Sequence, residues 1–154
     1  MSTGLQNLTF GDGSSLLQYV GVWQAGTWGD NGTLHLTNEP FATVTLTFPV
    51  PANAFYFYGM KRSDGAKYVA CIDESPCDPA NPNSLPIDAF DPLANNFSND
   101  PPVLLFSHEF DDFAVHEVTI MNLEDPRNPN HENSVVEVGS FEIQVQATEA
   151  APES

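Results

Sequence analysis

Hydrophobic and polar residues alternate most cleanly over residues 42–48, where Val44, Leu46 and Phe48 interleave with Thr43, Thr45 and Thr47. A period of two puts one set on each face of an extended segment, so this stretch predicts a half-buried β-strand. Two further apolar, β-branched and aromatic runs follow at 54–60 and 66–73. Ser63-Asp64-Gly65 lies between them and predicts a hairpin joining the pair. The same reasoning predicts short strands at 5–10, 15–21 and 33–37, then at 103–109, 114–122 and 134–147, with a bulge at Gly139. Residues 110–113 (Phe-Asp-Asp-Phe) read as the turn between two of these. Residues 23–32 read as a Gly-rich loop. No segment carries the 3.6-residue period of a three-turn helix, and no internal repeat is visible.

Strands of this length with such connections predict one all-β domain over residues 5–147, an antiparallel two-sheet β-sandwich with jelly-roll connections. Residues 1–4 and 148–154 read as flexible ends. Successive antiparallel strands reverse direction, so alternate connections fall at the same end of the sandwich. On that count 38–40, 61–65 and 110–113 share one end. Residues 23–32, 49–53, 74–102 and 123–133 share the other, which gathers all the long loops. Residues 74–102 hold seven of the 13 prolines and show no periodicity. Loops longer than about 12–15 residues are usually functional or disordered, so the long-loop end is where a site is expected.

Charge narrows the partners. Four Lys and Arg stand against 21 Asp and Glu, a formal net charge of −17. Nucleic acid is excluded as a partner, because phosphate contacts need clustered cations. Anionic membrane surfaces are disfavoured on the same ground. No apolar run reaches the roughly 18–20 residues of a membrane span, so no membrane insertion by this chain is expected. Three sequons, at Asn7, Asn31 and Asn96, are candidate N-glycosylation sites. Cys71 and Cys77 do not have a zinc or redox spacing, and the reading is a local disulfide, with free thiols as the alternative. Sequons and a disulfide point to a secreted or cell-surface chain whose leader is absent, with Met-Ser-Thr-Gly in its place.

An ordered series of motifs adds to this. Tyr19-Val20-Gly21-Val22-Trp23 resembles the Y-x-G-x-W opening of a group of fungal secreted and single-pass surface proteins. Phe55-Tyr56-Phe57-Tyr58-Gly59 is similar to their x-I-x-V-Y-G strand, and Tyr68-Val69-Ala70-Cys71-Ile72-Asp73 to Y-x-V-x-L-D. His116-Glu117-Val118-Thr119-Ile120-Met121-Asn122 is similar to H-x-L-x-L-x-N. The similarity spans residues 15–146. It implies a galactose-binding-like jelly roll and, by analogy, glycan or cell-wall polysaccharide binding. The chain departs from the pattern at Gly139-Ser140, where the family often carries Asp.

Candidate chemistry is sparse. Trp28, in the Gly-rich segment beside Asp30, offers an aromatic platform and an acceptor for a sugar; plugging the end of the sandwich is its structural alternative. Arg127 would complete that site if it faced Trp28; pairing with a neighbouring carboxylate is its alternative. Trp23 reads as core. Asp73, Glu74 and Asp78 head an acidic run with Asp88, Asp91 and Asp100. The run could supply oxygens to Ca²⁺, but it lacks an ordered D-x-D-x-D-G ligand series. His35, His108, His116 and His131 form no metal-ligand spacing. No serine sits in a G-x-S-x-G context, and no carboxylate pair is singled out by spacing. The expectation is a non-catalytic, carbohydrate-binding-like module. The alternatives are a structural or interaction ectodomain without sugar binding, and a polysaccharide hydrolase or lyase. Oligomeric state is not legible.

Overall fold

The computed structural model describes residues 4–29, 31–94, 101–127 and 133–147. Asp30, Asp100, His131 and the Asn96 sequon therefore lie outside the described residues. The strands are β1 (Leu5–Gly11), β2 (Leu17–Val20), β3 (Gln24–Trp28), β4 (Gly32–Thr37), β5 (Thr43–Thr47), β6 (Ala52–Gly59), β7 (Lys67–Ile72), β8 (Leu85–Asp88), β9 (Val103–Ala114), β10 (Glu117–Asn122) and β11 (Val136–Gln146). They form two sheets, and every named pair is antiparallel. One sheet runs β3-β4-β11-β6-β9, with β1 also on β11; the other runs β2-β5-β10-β7-β8. Only the β3–β4 and β7–β8 connections stay within a sheet; every other one crosses between the two. This is the expected all-β sandwich with jelly-roll-like crossings.

The core follows the sequence period. On β5, Val44 and Leu46 are fully buried, while Thr45 faces outward and shares a hydrogen bond of 2.8 Å with Thr119 of β10. The opposite sheet contributes Phe55, Phe57 and Phe141, whose rings meet edge to face at 5.1 and 5.4 Å. Tyr68 crosses from β7 to meet Phe57 at 6.5 Å, and its hydroxyl donates to the carbonyl of Val135. Edge-to-face contacts add about 0.5–1.5 kcal/mol each beyond burial, because a ring's positive edge meets its neighbour's negative face.

Several expectations are corrected. β6 and β7 do not form a hairpin: β6 pairs with β11 and β9, and β7 with β10 and β8. Residues 60–66 carry the chain from one sheet to the other, with Gly65 at φ 103°. The turn expected at 110–113 is an irregular stretch inside one long strand, opposite Asn53 where the β6–β9 register slips. Phe110 is held inward there by stacking on His116 at 3.9 Å. The segment read as a Gly-rich loop contains β3, because Leu34 and Leu36 of β4 pack across Gly26. The proline-rich segment contains β8, a four-residue strand of sequence LPID. A strand this short and flanked by prolines has no readable period, yet it reverses the chain once more. The long loops are consequently divided. Residues 73–84 lie at one end, and the described parts of the other two connections, 89–94 with 101–102 and 123–127 with 133–135, belong to the opposite end.

At that second end one carboxylate ties three connections together. Asp125 is buried, accepts from the Ala66 amide at 3.1 Å and from the Arg127 amide at 3.0 Å, and pairs with the Arg127 guanidinium at 2.8 Å. Arg127 also reaches Asp88 at 2.9 Å and lies 4.2 Å over the Phe90 ring. Nearby, Arg62 joins Asp64 and the buried Glu137, at 2.7 and 3.2 Å. Burial pushes the Glu137 carboxyl above its ordinary range despite Arg62, so its contribution to stability runs opposite to that of Asp125.

The Arg127 guanidinium, against the opposing effect of burial, holds the Asp125 carboxyl at about 2. A depressed folded value means stability that is present above the unfolded carboxylate range and lost as pH falls. Asp125 should therefore contribute about 2 kcal/mol at neutral pH, lost between about pH 4 and pH 2. Urea unfolding of the wild type and Asp125→Asn at pH 7 and pH 2.5 checks this: the gap between the two should be wide at pH 7 and narrow at pH 2.5.

Candidate functional site

Strand β11 changes partner along one edge. Its first residues pair with β4, with Val138 opposite His35, and its later residues pair with β1, from Ser140 opposite Gly11 to Gln146 opposite Leu5. Gly139 stands between the two as a bulge against β6, where the register slips between Val138 and Ser140. The seam left between the end of β1 and the start of β4 opens into a cavity of about 400 Å³. Gly11, Asp12, Trp28, Thr33, Tyr58 and Glu142 line it, with Pro101, Pro102, Gly139 and Ser140.

Each wall has a local cause. Trp28 pairs across the β3–β4 hairpin with Gly32, and the indole lies directly on that glycine; a Cβ there would sit 2.0 Å from the ring. Pro102 covers Gly139 in the same way, with a Cβ meeting its ring at 2.6 Å. Tyr58 and Glu142 occupy outward positions on β6 and β11, the faces opposite Phe57 and Phe141. The Glu142 carboxylate accepts from Thr9 Oγ1 at 2.9 Å, and from Asn7 Nδ2 and the Tyr58 hydroxyl at 3.3 Å each. Burial, then the adjacent Glu142 charge, raises the Tyr58 phenol above its ordinary value, which keeps it a neutral donor.

Asp12 seals the seam. It is buried, its amide donates to the Gly139 carbonyl at 3.1 Å, and its carboxylate takes Thr33 Oγ1 at 2.6 Å and His35 Nδ1 at 2.8 Å. Tyr19 stacks on His35 at 4.5 Å and donates to the Asp12 carbonyl, while Trp23 meets the Tyr19 ring edge-on at 4.9 Å. Trp23 is packed against the core, in line with its reading as a scaffold residue.

The residues anticipated from sequence are scattered. Trp28 lines the cavity, and Asn31 is exposed in the turn beside it. Asn7 is exposed on β1 and does not line the cavity, but its amide donates to Glu142, which does. Arg127 does not line the cavity; it is engaged by Asp88 and Asp125 at the end of the sandwich. The site expected at one long-loop end is not assembled, because the loops are split between two ends. Cys71 and Cys77 form a disulfide. Asp73 holds His116 at 2.6 Å and the Glu117 amide at 2.9 Å, which outweigh burial and lower its carboxyl. Glu74 accepts from Ser84, and Asp78 from the Ala80 amide. Among the described residues no group of three or more His, Cys, Asp or Glu is arranged to hold a metal ion.

Tyr58, Glu142, Asp12 and Thr9 were not anticipated. For Tyr58, Glu142 and Thr9 the one sequence signal is a polar or amphipathic side chain on the outward phase of a strand whose inward phase is aromatic; Asp12, buried just past β1, carries no such signal. Which strand lies beside which is not in that signal.

No family model and no curated protein matches the chain. Solved structures do. A family two carbohydrate esterase from Cellvibrio japonicus aligns over 93% of this chain with a TM-score of 0.59 and 14% identity, and the chain covers 35% of it. The C-terminal CBM6 of LamC, a marine laminarinase from Zobellia galactanivorans, aligns over 91% of this chain and 100% of its own, with a TM-score of 0.56 and 10% identity. CsCBM6-3 from Clostridium stercorarium, in complex with cellobiose, aligns over 88% of this chain and 90% of its own, at 0.50 and 13%. The chain shares the two-sheet β-sandwich fold of these structures. This chain spans about a third of the esterase, whereas it matches the two CBM6 modules over nearly their whole length.

The Trp28 wall depends on the bare backbone of Gly32. Gly32→Ala should displace the indole and cost about 1–3 kcal/mol, the usual range for overpacking a fitted site. Chemical denaturation reads the cost; an unchanged midpoint would show that the indole does not rest on this glycine.

Proposed function

We propose that the protein is a non-catalytic carbohydrate-binding module whose site is the β1–β4 seam. The observation that carries this is an aromatic-walled cavity around one fixed carboxylate, on a fold shared with CBM6 modules. Such sites combine apolar faces with a few oriented polar groups. Trp28 and Tyr58 supply faces for the C–H surface of a pyranose, and Glu142 and the Tyr58 hydroxyl supply partners for its hydroxyls. Thr9 and Asn7 fix the carboxylate before a sugar arrives, which lowers the ordering cost of binding. The other carboxylate at the cavity, Asp12, has both oxygens occupied by Thr33 and His35. It is thus poorly placed to act as an acid or a nucleophile, which favours binding over hydrolysis.

A place outside the cell belongs to the same proposal. It draws on the sequons, the Cys71–Cys77 disulfide and the resemblance to fungal surface proteins. The two sequons among the described residues, at Asn7 and Asn31, flank the cavity, so a glycan on either would border the site.

Calorimetric titration with soluble β-glucan and cello-oligosaccharides tests the proposal. Trp28→Ala and Tyr58→Ala should each weaken binding by about tenfold or more, equivalent to 1.4 kcal/mol. Asp111→Asn on the outer strand β9 should bind as the wild type does. Sugar binding that survives both aromatic replacements would move the site elsewhere.

A further inference from the structure

We propose that the seam cavity selects amino sugars bearing a free, protonated amine, and that Glu142 is the group that reads this charge. The proposal rests on the carbohydrate-binding reading and names the ligand class for the same site.

Glu142 is a partly buried anion whose described partners are all neutral. Thr9 Oγ1, Asn7 Nδ2 and the Tyr58 hydroxyl donate to it, and no ion pair to it occurs among the described residues. A carboxylate has about four lone-pair sites, and three are used, so room remains for one further donor. An ammonium is the donor that also supplies the missing charge. Hydrogen bonds between two ionised groups are shorter and roughly twice as strong as neutral ones.

Among the described residues no lysine or arginine stands at the cavity to cancel that field. The cavity is lined by Asp12 and Glu142 and by no Lys, Arg or His. The chain's four cations are Lys61, Arg62, Lys67 and Arg127. Arg62 is committed to Asp64 and Glu137, and Arg127 to Asp88 and Asp125. Lys61 lies within the 60–66 crossover and Lys67 just past it, and neither lines the cavity. With a net charge of −17, the surrounding potential draws cations in and repels uronates and sulfated sugars. Asp12 contributes to the same sign, but its oxygens already hold Thr33 and His35. Glu142 is therefore the carboxylate with capacity for a ligand.

The readout is a ratio of affinities at pH 6 and low salt. A short glucosamine oligomer is compared with its N-acetylated counterpart of equal length. Short oligomers avoid the bulk attraction of a long polycation to an acidic protein. Wild type should prefer the free amine by at least about tenfold, and the preference should shrink in 0.5 M salt as screening grows. Glu142→Gln keeps the size and an acceptor oxygen but removes the charge, and should bring the ratio close to one. Asp111→Asn makes the same change in net charge on β9 and should leave the ratio as in wild type. A wild-type ratio near one, or a ratio retained in Glu142→Gln, would overturn the charge-reading role while the site as a sugar binder stands. Absence of binding to either oligomer and to neutral glucans would overturn both together.

Discussion

Everything at the site depends on how β11 shares one edge between two partners. Backbone N–H and C=O groups must be paired wherever water is excluded, so a strand that changes neighbour must account for the groups at the change. Here the Gly139 carbonyl is taken by the Asp12 amide, the first residue past β1. Asp12 then reaches across to Thr33 and His35 of β4, so a single residue closes the gap by backbone on one side and carboxylate on the other. The gap does not collapse because rings stand over it. Trp28 rests on Gly32 and Pro102 on Gly139, each on backbone left bare of a side chain.

The electrostatics of the molecule follow from how few cations it has. Both arginines stay at one end of the sandwich, where they neutralise carboxylates that burial would otherwise penalise. A buried pair with one partner removed is far worse than no pair at all, so these arginines are not free for a ligand. The acidic character elsewhere is consequently uncompensated, and that includes the cavity around Glu142. Core stability comes from a different source, the interlocked rings of Phe55, Phe57, Phe141 and Tyr68 between the sheets.

The fold class was legible because period-two alternation is strong in β5, β6 and β10 and needs no knowledge of neighbours. The bulge at Gly139 was legible too, since a glycine that interrupts an alternating strand commonly marks a bulge or the close approach of another chain segment. The pairing of β6 with β7 was misread because Ser63-Asp64-Gly65 has hairpin chemistry, and local turn preference cannot report that the next strand joins the other sheet. The division of the long loops was misread for want of four residues. Leu85–Asp88 has too few positions to show a period, and Pro86 argues against a central strand; β8 is in fact an edge strand, where that proline is tolerated. Trp28 is legible as a candidate because a tryptophan among glycines stands out, and it does line the cavity. Glu142 was hidden among many carboxylates, and only its register opposite β1 and β6 separates it from them.

Because the cavity is framed mainly by ladder hydrogen bonds and by the Trp28 ring resting on glycine backbone, the connections it depends on are those that carry Asp12 and the Pro101-Pro102 wall. Sequence drift at residues 73–84 or 123–127, none of which lines the cavity, would leave the register of β1, β4, β6 and β11 untouched. The converse also holds. A one-residue slip of β11 against β1 would turn Glu142 inward and Phe141 outward, abolishing core and cavity at once. The shape of the seam is therefore set by strand register.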